Sequence, residues 1–284
     1  TEIARGLLNK AIELDDNLIL AKILLGTTYR EVGDYDKAMD IYTSSLKQAE
    51  KLGDKHGMGS SLLSIGSVHW HKGDYKKALD YFGRSLAIQE ELGDKLGMGY
   101  SLGNIGIVHS NKGDYDIALD YYSRALAILE ELGDKLGMGY SLNNIGIVYY
   151  YKGNYNTALD YYNRSLAIRE ELGDNRGIGN SLLNIGNVHY DKGDYDTALD
   201  YYSRALAIDE ELGDKYGMGS SLNNIGVVYK NKGDLDTALD YYGRSLAIQE
   251  ELGDKLGMGS SLNNIGIVYK NKGDLDTALD YYGR

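Results

Sequence analysis

The sequence predicts an all-α solenoid of antiparallel helix pairs, and three observations carry that prediction. A Gly-Asp dipeptide recurs on a 20-residue beat, at 33–34, 53–54, 73–74, 93–94, 113–114, 133–134, 173–174, 193–194, 213–214, 233–234, 253–254 and 273–274, with Gly153 and Asn154 filling the one gap. Between these marks the apolar residues keep helical spacing, as in Ala118, Leu119, Tyr122, Leu126 and Leu129. Nothing alternates with period two, and the 284 residues contain no proline, which suits long helices joined by very short turns.

Each element has its own justification. Successive segments differ in type, so the true period is 40 residues: one kind runs from Met138 to Tyr149, the other from Tyr155 to Ile168. The Gly of each dipeptide supplies a left-handed residue that ends a helix without a Cβ penalty. The Asp that follows supplies an N-cap oxygen and a negative charge for the next helix start. A Lys precedes the Gly at 72, 112, 152, 192, 232 and 272, where a cation suits a helix C-terminus. The 18 residues between marks span about 27 Å if fully helical. Glycines inside the first kind of helix, such as Gly97 and Gly99, each cost up to about 1 kcal/mol of helix propensity relative to Ala, so close helix approach is expected there.

Composition narrows the function. The chain carries 30 Lys and Arg against 42 Asp and Glu, a formal charge of −12, which argues against nucleic acid or an anionic membrane as partner. It has no Cys, so disulfides, Cys-ligated metals and thiol nucleophiles are excluded. The longest apolar run, Leu18 to Leu25, is too short to span a membrane and is broken by Lys22. No signal-peptide pattern opens the sequence, and a cytoplasmic location is expected.

Leu142, Ile145, Gly146 and Tyr149, followed by Ala158 and Tyr162, form a pattern that resembles the tetratricopeptide repeat signature. The frame recurs at Gly66, Gly106, Gly186, Gly226 and Gly266, so the resemblance covers nearly the whole chain. Two departures stand out: the usual helix B proline is missing, and the repeat has 40 residues rather than 34 because a Glu-Glu-Leu-Gly-Asp-Lys segment is added in most copies. This form is similar to the repeats of Pins-type spindle-orientation adaptors, and more loosely to kinesin light chains and bacterial peptide-sensing regulators. The resemblance implies a right-handed superhelical solenoid of antiparallel helix pairs, each a helix A followed by a helix B, with helices A on the concave face. Full repeats are expected at 18–53, 54–93, 94–133, 134–173, 174–213 and 214–253, with a partial 34-residue-type repeat at 1–17 and a truncated repeat at 254–284. Residues 254–284 match 214–244 except for Leu256 against Tyr216 and Ile267 against Val227. Polar capping segments are missing from both ends, so end-to-end self-association is a further expectation.

The family's groove positions are the second, fifth, sixth, ninth, twelfth and thirteenth of the repeat. The sixth holds Asn104, Asn144, Asn184, Asn224 and Asn264, with Ser64 and Leu24 earlier; the fifth holds Asn143, Asn223 and Asn263, interrupted by Gly103 and Leu183; the ninth holds Asn187 in one copy. An amide offers one acceptor and two donors, so a ladder of Asn can bond a peptide backbone whatever its side chains. The competing reading is that each Asn bonds a neighbouring helix. The twelfth position runs Arg30, Trp70, Ser110, Tyr150, Tyr190, Lys230, Lys270, a change from aromatic anchors to Lys that suits an extended, partly acidic segment with apolar side chains. The carboxylate-clamp Lys and Arg of chaperone-tail binders are absent from these positions.

Other constellations read as structure. His69, His109 and His189 occupy a frame position filled elsewhere by Tyr149, Tyr229 and Tyr269, which suggests a packing ring rather than a metal site. The glycines around Gly97 lack the strand a nucleotide loop needs, and Asp114 and Asp116 lack the Gly and closing Glu of a calcium loop. Asp120 and Arg124, four apart, read as a surface pair. No enzyme, cofactor or metal is expected. The expected function is a protein-interaction scaffold that cradles an extended peptide; the alternative is a structural spacer or self-assembling module that regulates an effector domain outside this sequence.

Overall fold

The structure, a computed structural model, describes residues 2–284, and every described element is a helix. The chain divides into two compact units, residues 1–148 and Tyr149–Arg284. In the first unit lie α1 (Glu2–Leu14), α2 (Ile19–Glu31), α3 (Tyr35–Leu52), α4 (Lys55–His71), α5 (Tyr75–Leu92), α6 (Lys95–Asn111), α7 (Tyr115–Leu132) and most of α8 (Lys135–Tyr151). In the second lie α9 (Tyr155–Leu172), α10 (Asn175–Asp191), α11 (Tyr195–Leu212), α12 (Lys215–Lys232), α13 (Leu235–Leu252), α14 (Lys255–Asn271) and α15 (Leu275–Gly283). From α2 on, even-numbered helices are of the A kind and odd-numbered helices of the B kind.

The turns behave as the dipeptides require. Gly133 sits at φ 67° and ends α7, and the next amide, that of Asp134, donates back to the Leu129 carbonyl at 2.9 Å. Asp94 caps α6 by accepting from the Gly97 amide at 3.0 Å. Asp114 is an exception: its carboxylate makes no cap bond to α7 and instead meets His109 Nδ1 at 3.1 Å and Lys112 Nζ at 2.9 Å. The hydrogen bonds from Lys112, most strongly, and from His109 hold the Asp114 carboxyl below the usual carboxylate range.

Within a pair, A and B helices interlock ring against glycine. A Cβ on Gly106 of α6 would sit 2.7 Å from the Tyr122 ring of α7, and one on Gly226 would sit 2.7 Å from the Tyr242 ring of α13. Only hydrogen fits there, which explains the helix-interior glycine. Tyr122, Tyr202 and Tyr242, with Phe82 in their place on α5, are fully buried and form the centre of each pair. Of the expected buried stripe, Ala118, Tyr122, Leu126 and Leu129 are buried and Leu119 is half-buried.

Within each unit successive A helices also approach one another, α2 to α4 and α4 to α6 in the first, α10 to α12 and α12 to α14 in the second. The B helices α3, α5 and α7 do not approach one another in that way. Closer spacing of A than of B makes the A face the inner face of each stack.

Candidate functional site

The inner face of each unit is built from A helices whose small residues leave recesses between neighbours. Between α6 and α8, a recess of about 260 Å³ is lined by Tyr100, Gly103, Asn104, Ile107, Tyr140 and Asn144, with Leu129 of α7 below. Gly103 interrupts the fifth-position Asn series here, and the point where its side chain would begin faces open space. The Tyr100 hydroxyl donates to Asp134 Oδ2 at 2.9 Å; burial and that carboxylate raise its pKa to about 12. Between α10 and α12 a second recess, of about 360 Å³, holds Arg176, Asn180, Leu183, Asp209 and Tyr216. A third, between α12 and α14, includes Asn223, Asn224 and Gln249.

The floor of each recess is one frame position of helix B: Leu129, Asp209 or Gln249. Its side chain lies between glycine backbones of two successive A helices, Leu129 between Gly99 and Gly137, Asp209 between Gly179 and Gly217. A serine of the following A helix bonds the polar versions: Ser101 Oγ donates to Gln89 Oε1 at 2.6 Å, Ser221 Oγ to Asp209 Oδ2 at 3.1 Å, and Ser261 Oγ to Gln249 Oε1 at 2.8 Å. Arg169 occupies the same position on α9, where its Nε donates to Ser165 Oγ at 3.1 Å and its guanidinium lies 3.5 Å from Asp174 Oδ2. Gln89, Leu129, Arg169, Asp209 and Gln249 are all at most 7% exposed, so this position is buried while its chemistry changes from pair to pair. Sequence reading missed it as a series. The signal was available, because Leu129 belongs to the buried stripe and its counterparts Gln89, Arg169, Asp209 and Gln249 are polar.

The expected Asn ladder separates into three groups. Asn144 and Asn224 are half-buried, line recesses, and their amides make no hydrogen bond within the described chain. Asn263, exposed on α14, lines a further recess with Tyr281 and Tyr282. Asn104 donates to the Tyr100 carbonyl of its own helix at 2.8 Å, and Asn264 Nδ2 donates to Asn223 Oδ1 across neighbouring A helices at 2.9 Å. Asn143 and Asn184 are also engaged within the chain. Asn187 turns inward, where its Oδ1 accepts from the Tyr202 hydroxyl at 2.7 Å.

The twelfth-position residues are likewise mixed. Tyr150 donates to Asp191 Oδ2 at 2.5 Å, and Tyr190 accepts from Asn231 Nδ2 at 2.6 Å, so the hydroxyls tie successive A helices together while the half-buried rings stay on the inner face. Burial, more than the neighbouring carboxylate, pushes the Tyr150 phenol up; the Tyr190 phenol is also raised by burial. Trp70 packs edge-on to His71 with ring centroids 4.5 Å apart, and its Nε1 is buried without a partner. Lys230 and Lys270 make no ion pair within the described residues.

The histidine ring positions are packing sites: His109 stacks on Tyr121 at 5.7 Å and His189 on Tyr201 at 5.6 Å, as Tyr229 does on Tyr241 at 5.6 Å. Asp120 and Arg124 pair at 3.7 Å, and the Arg124 guanidinium also lies over the Tyr121 ring at 5.4 Å, a cation–π contact. No helix is long and apolar enough to cross a membrane among the described residues.

The tetratricopeptide repeat family profile matches residues 17–91, 97–171, 137–211, 177–251 and 217–284, and the chain belongs to that family. No curated protein sequence matches it significantly. Among solved structures, it is similar to BtubC from P. vanneervenii, with 22% identity, a TM-score of 0.65, and coverage of 74% of this chain and 89% of that one. It is similar to a signal transduction ATPase with numerous domains and a tetratricopeptide repeat sensor from Pyrococcus horikoshii, with 19% identity, a TM-score of 0.77, and coverage of 99% of this chain and 43% of that one. A Rap protein complexed with competence and sporulation factor is also similar, with 18% identity, a TM-score of 0.73, and coverage of 98% of this chain and 77% of that one. At these identities the likeness is one of fold.

Proposed function

We propose that this protein is an interaction scaffold that holds extended peptide segments on the inner, helix A faces of its units. The observation that carries the reading is the pair of free amides at Asn144 and Asn224, half-buried beside recesses and bonded to nothing within the described chain. A buried or half-buried amide with unused donors and acceptors is costly to a fold and useful to a ligand, since it can bond backbone N–H and C=O groups of any sequence. The half-buried rings of Trp70, Tyr150 and Tyr190 add apolar contact area, and the unpaired ammonium groups of Lys230 and Lys270 suit acidic residues in the bound segment. The factor-bound Rap protein supports the reading as a precedent of fold.

The test is a selection from a library of random decapeptides against the intact chain. Wild type is expected to retain a peptide family, and Asn144→Ala and Asn224→Ala together are expected to abolish retention with the helical circular dichroism unchanged. Retention of the same peptides by the double variant would overturn the role given to the amides.

A further inference from the structure

The recess between α10 and α12 contains a charge that the fold itself leaves unbalanced. Asp209 is 5% exposed, on the last turn of α11, with its carboxylate set against bare glycine backbone: a Cβ on Gly217 would lie 2.5 Å from its Cγ. Oδ2 accepts from Ser221, while Oδ1 makes no hydrogen bond within the described residues, and Asp209 lines the recess. The cation at the rim, Arg176, is committed elsewhere: its Nε lies 3.2 Å from Asp214 Oδ2, and it forms no ion pair with Asp209. Asp209, Asp214 and Arg176 thus leave the recess one negative charge in excess.

Nothing in the repeat frame demands an acid there. The same position is Ala49, Gln89, Leu129, Arg169 and Gln249 in the other pairs. An unpaired buried carboxylate is among the more costly groups a core can hold, and a bound cation is what would relieve it. Burial pushes the Asp209 carboxyl up, Asp214 pushes it further, and the Ser221 bond and Arg176 oppose the rise. The exposed Tyr216 ring at the rim offers a face along which the aliphatic stem of a long basic side chain can lie, with a cation–π contribution.

We infer that the α10/α12 recess is a subsite for a lysine or arginine side chain of the bound segment, with the Asp209 carboxylate at its floor as the residue that selects the positive charge. The inference rests on the groove reading above and deepens it. A neutral floor, as at Gln249, and an apolar floor, as at Leu129, select otherwise.

The experiment uses the same decapeptide library against wild type, the Asp209→Gln variant, and the Asn144→Ala/Asn224→Ala double variant. Gln is the natural residue of this position in two other pairs, so the variant is expected to keep its helical circular dichroism and melting profile. Peptides retained by wild type are expected to share Lys or Arg at one fixed position. Asp209→Gln is expected to retain peptides without that preference, and to bind a wild-type-selected Arg peptide at least tenfold more weakly, while binding its Arg→norleucine analogue as wild type does. An unchanged basic preference in Asp209→Gln, or no basic preference in wild type, overturns the subsite. If the double variant retains the same Arg peptides and Asp209→Gln does not, the ladder falls and the subsite stands. If wild type retains no peptide, both fall.

Discussion

The recess above Leu129 and the recess above Asp209 share one backbone plan. Each lies between two A helices, each is flanked by helix-interior glycines, and each is floored by the same position of helix B. One presents a buried leucine beneath two tyrosines; the other presents a carboxylate with one unbonded oxygen and an arginine already engaged. The difference teaches that the invariant part of the repeat makes the hole and a single buried position sets its chemistry. Variation in a repeat array is usually sought on the surface, but here part of it lies one layer below.

The sharpest way to break the comparison is to exchange the floors. Leu129→Asp places a charge in an apolar site with no cation beside it, and the expected loss is about 3 kcal/mol or more of local stability, from lost packing plus an unpaired buried charge. Hydrogen exchange of α6 and α7 amides measures it; a loss below about 1 kcal/mol would mean the two sites tolerate charge equally, contrary to the account.

Asp209→Leu should act in the opposite direction, stabilising α11 and α12 by about 1–2 kcal/mol at pH 7, because a buried charge is replaced by a side chain the frame already accepts. The pH dependence follows from the raised Asp209 pKa. Below the unfolded value both states hold the proton and the carboxyl costs nothing; as pH rises through the folded value the native state must bury the ion, and stability is lost. The groups that face it are Asp214, Arg176 and the Ser221 hydroxyl. The advantage of the Leu variant should therefore shrink as pH falls toward the ordinary carboxylate range, which urea unfolding at pH 7 and near pH 4 would show. An advantage independent of pH would assign the effect to packing alone.

The smallest expected effect separates the two pairs by their buried tyrosines. Tyr202 donates to Asn187, whereas the Tyr242 hydroxyl is buried without a partner, and the residue 15 positions before it is Val227. Tyr202→Phe should cost about 1 kcal/mol, and Tyr242→Phe should be neutral or slightly stabilising, as Phe82 at the same position on α5 indicates. Equal effects, read by thermal unfolding of the two variants, would refute the assignment.

Much of this architecture is legible in the sequence because its signals are local. Gly-Asp fixes each turn within two residues, and the stripe from Ala118 to Leu129 fixes the buried face of a helix B. The groove residues are legible as positions but not as partners: Asn187 and Asn224 share a residue type and a helix face, yet one is spent on Tyr202 and the other is free. Whether an amide is free depends on what the next helix places beside it. Asp209 is hidden for a related reason. It precedes Glu210 and Glu211 at a helix end, where a third acid reads as solvated, and only the glycine-lined helix α12 packed over it makes it buried. Arg169, Gln89 and Gln249 are hidden in the same way.

If the free amides of Asn144 and Asn224 hold a peptide backbone, calorimetric titration of one library-selected peptide into wild type and into the Asn144→Ala/Asn224→Ala variant shows it most directly. Saturable binding to wild type is expected, with at least hundredfold weaker binding, or none, to a variant of unchanged helicity. Equal affinity for the two proteins would contradict it.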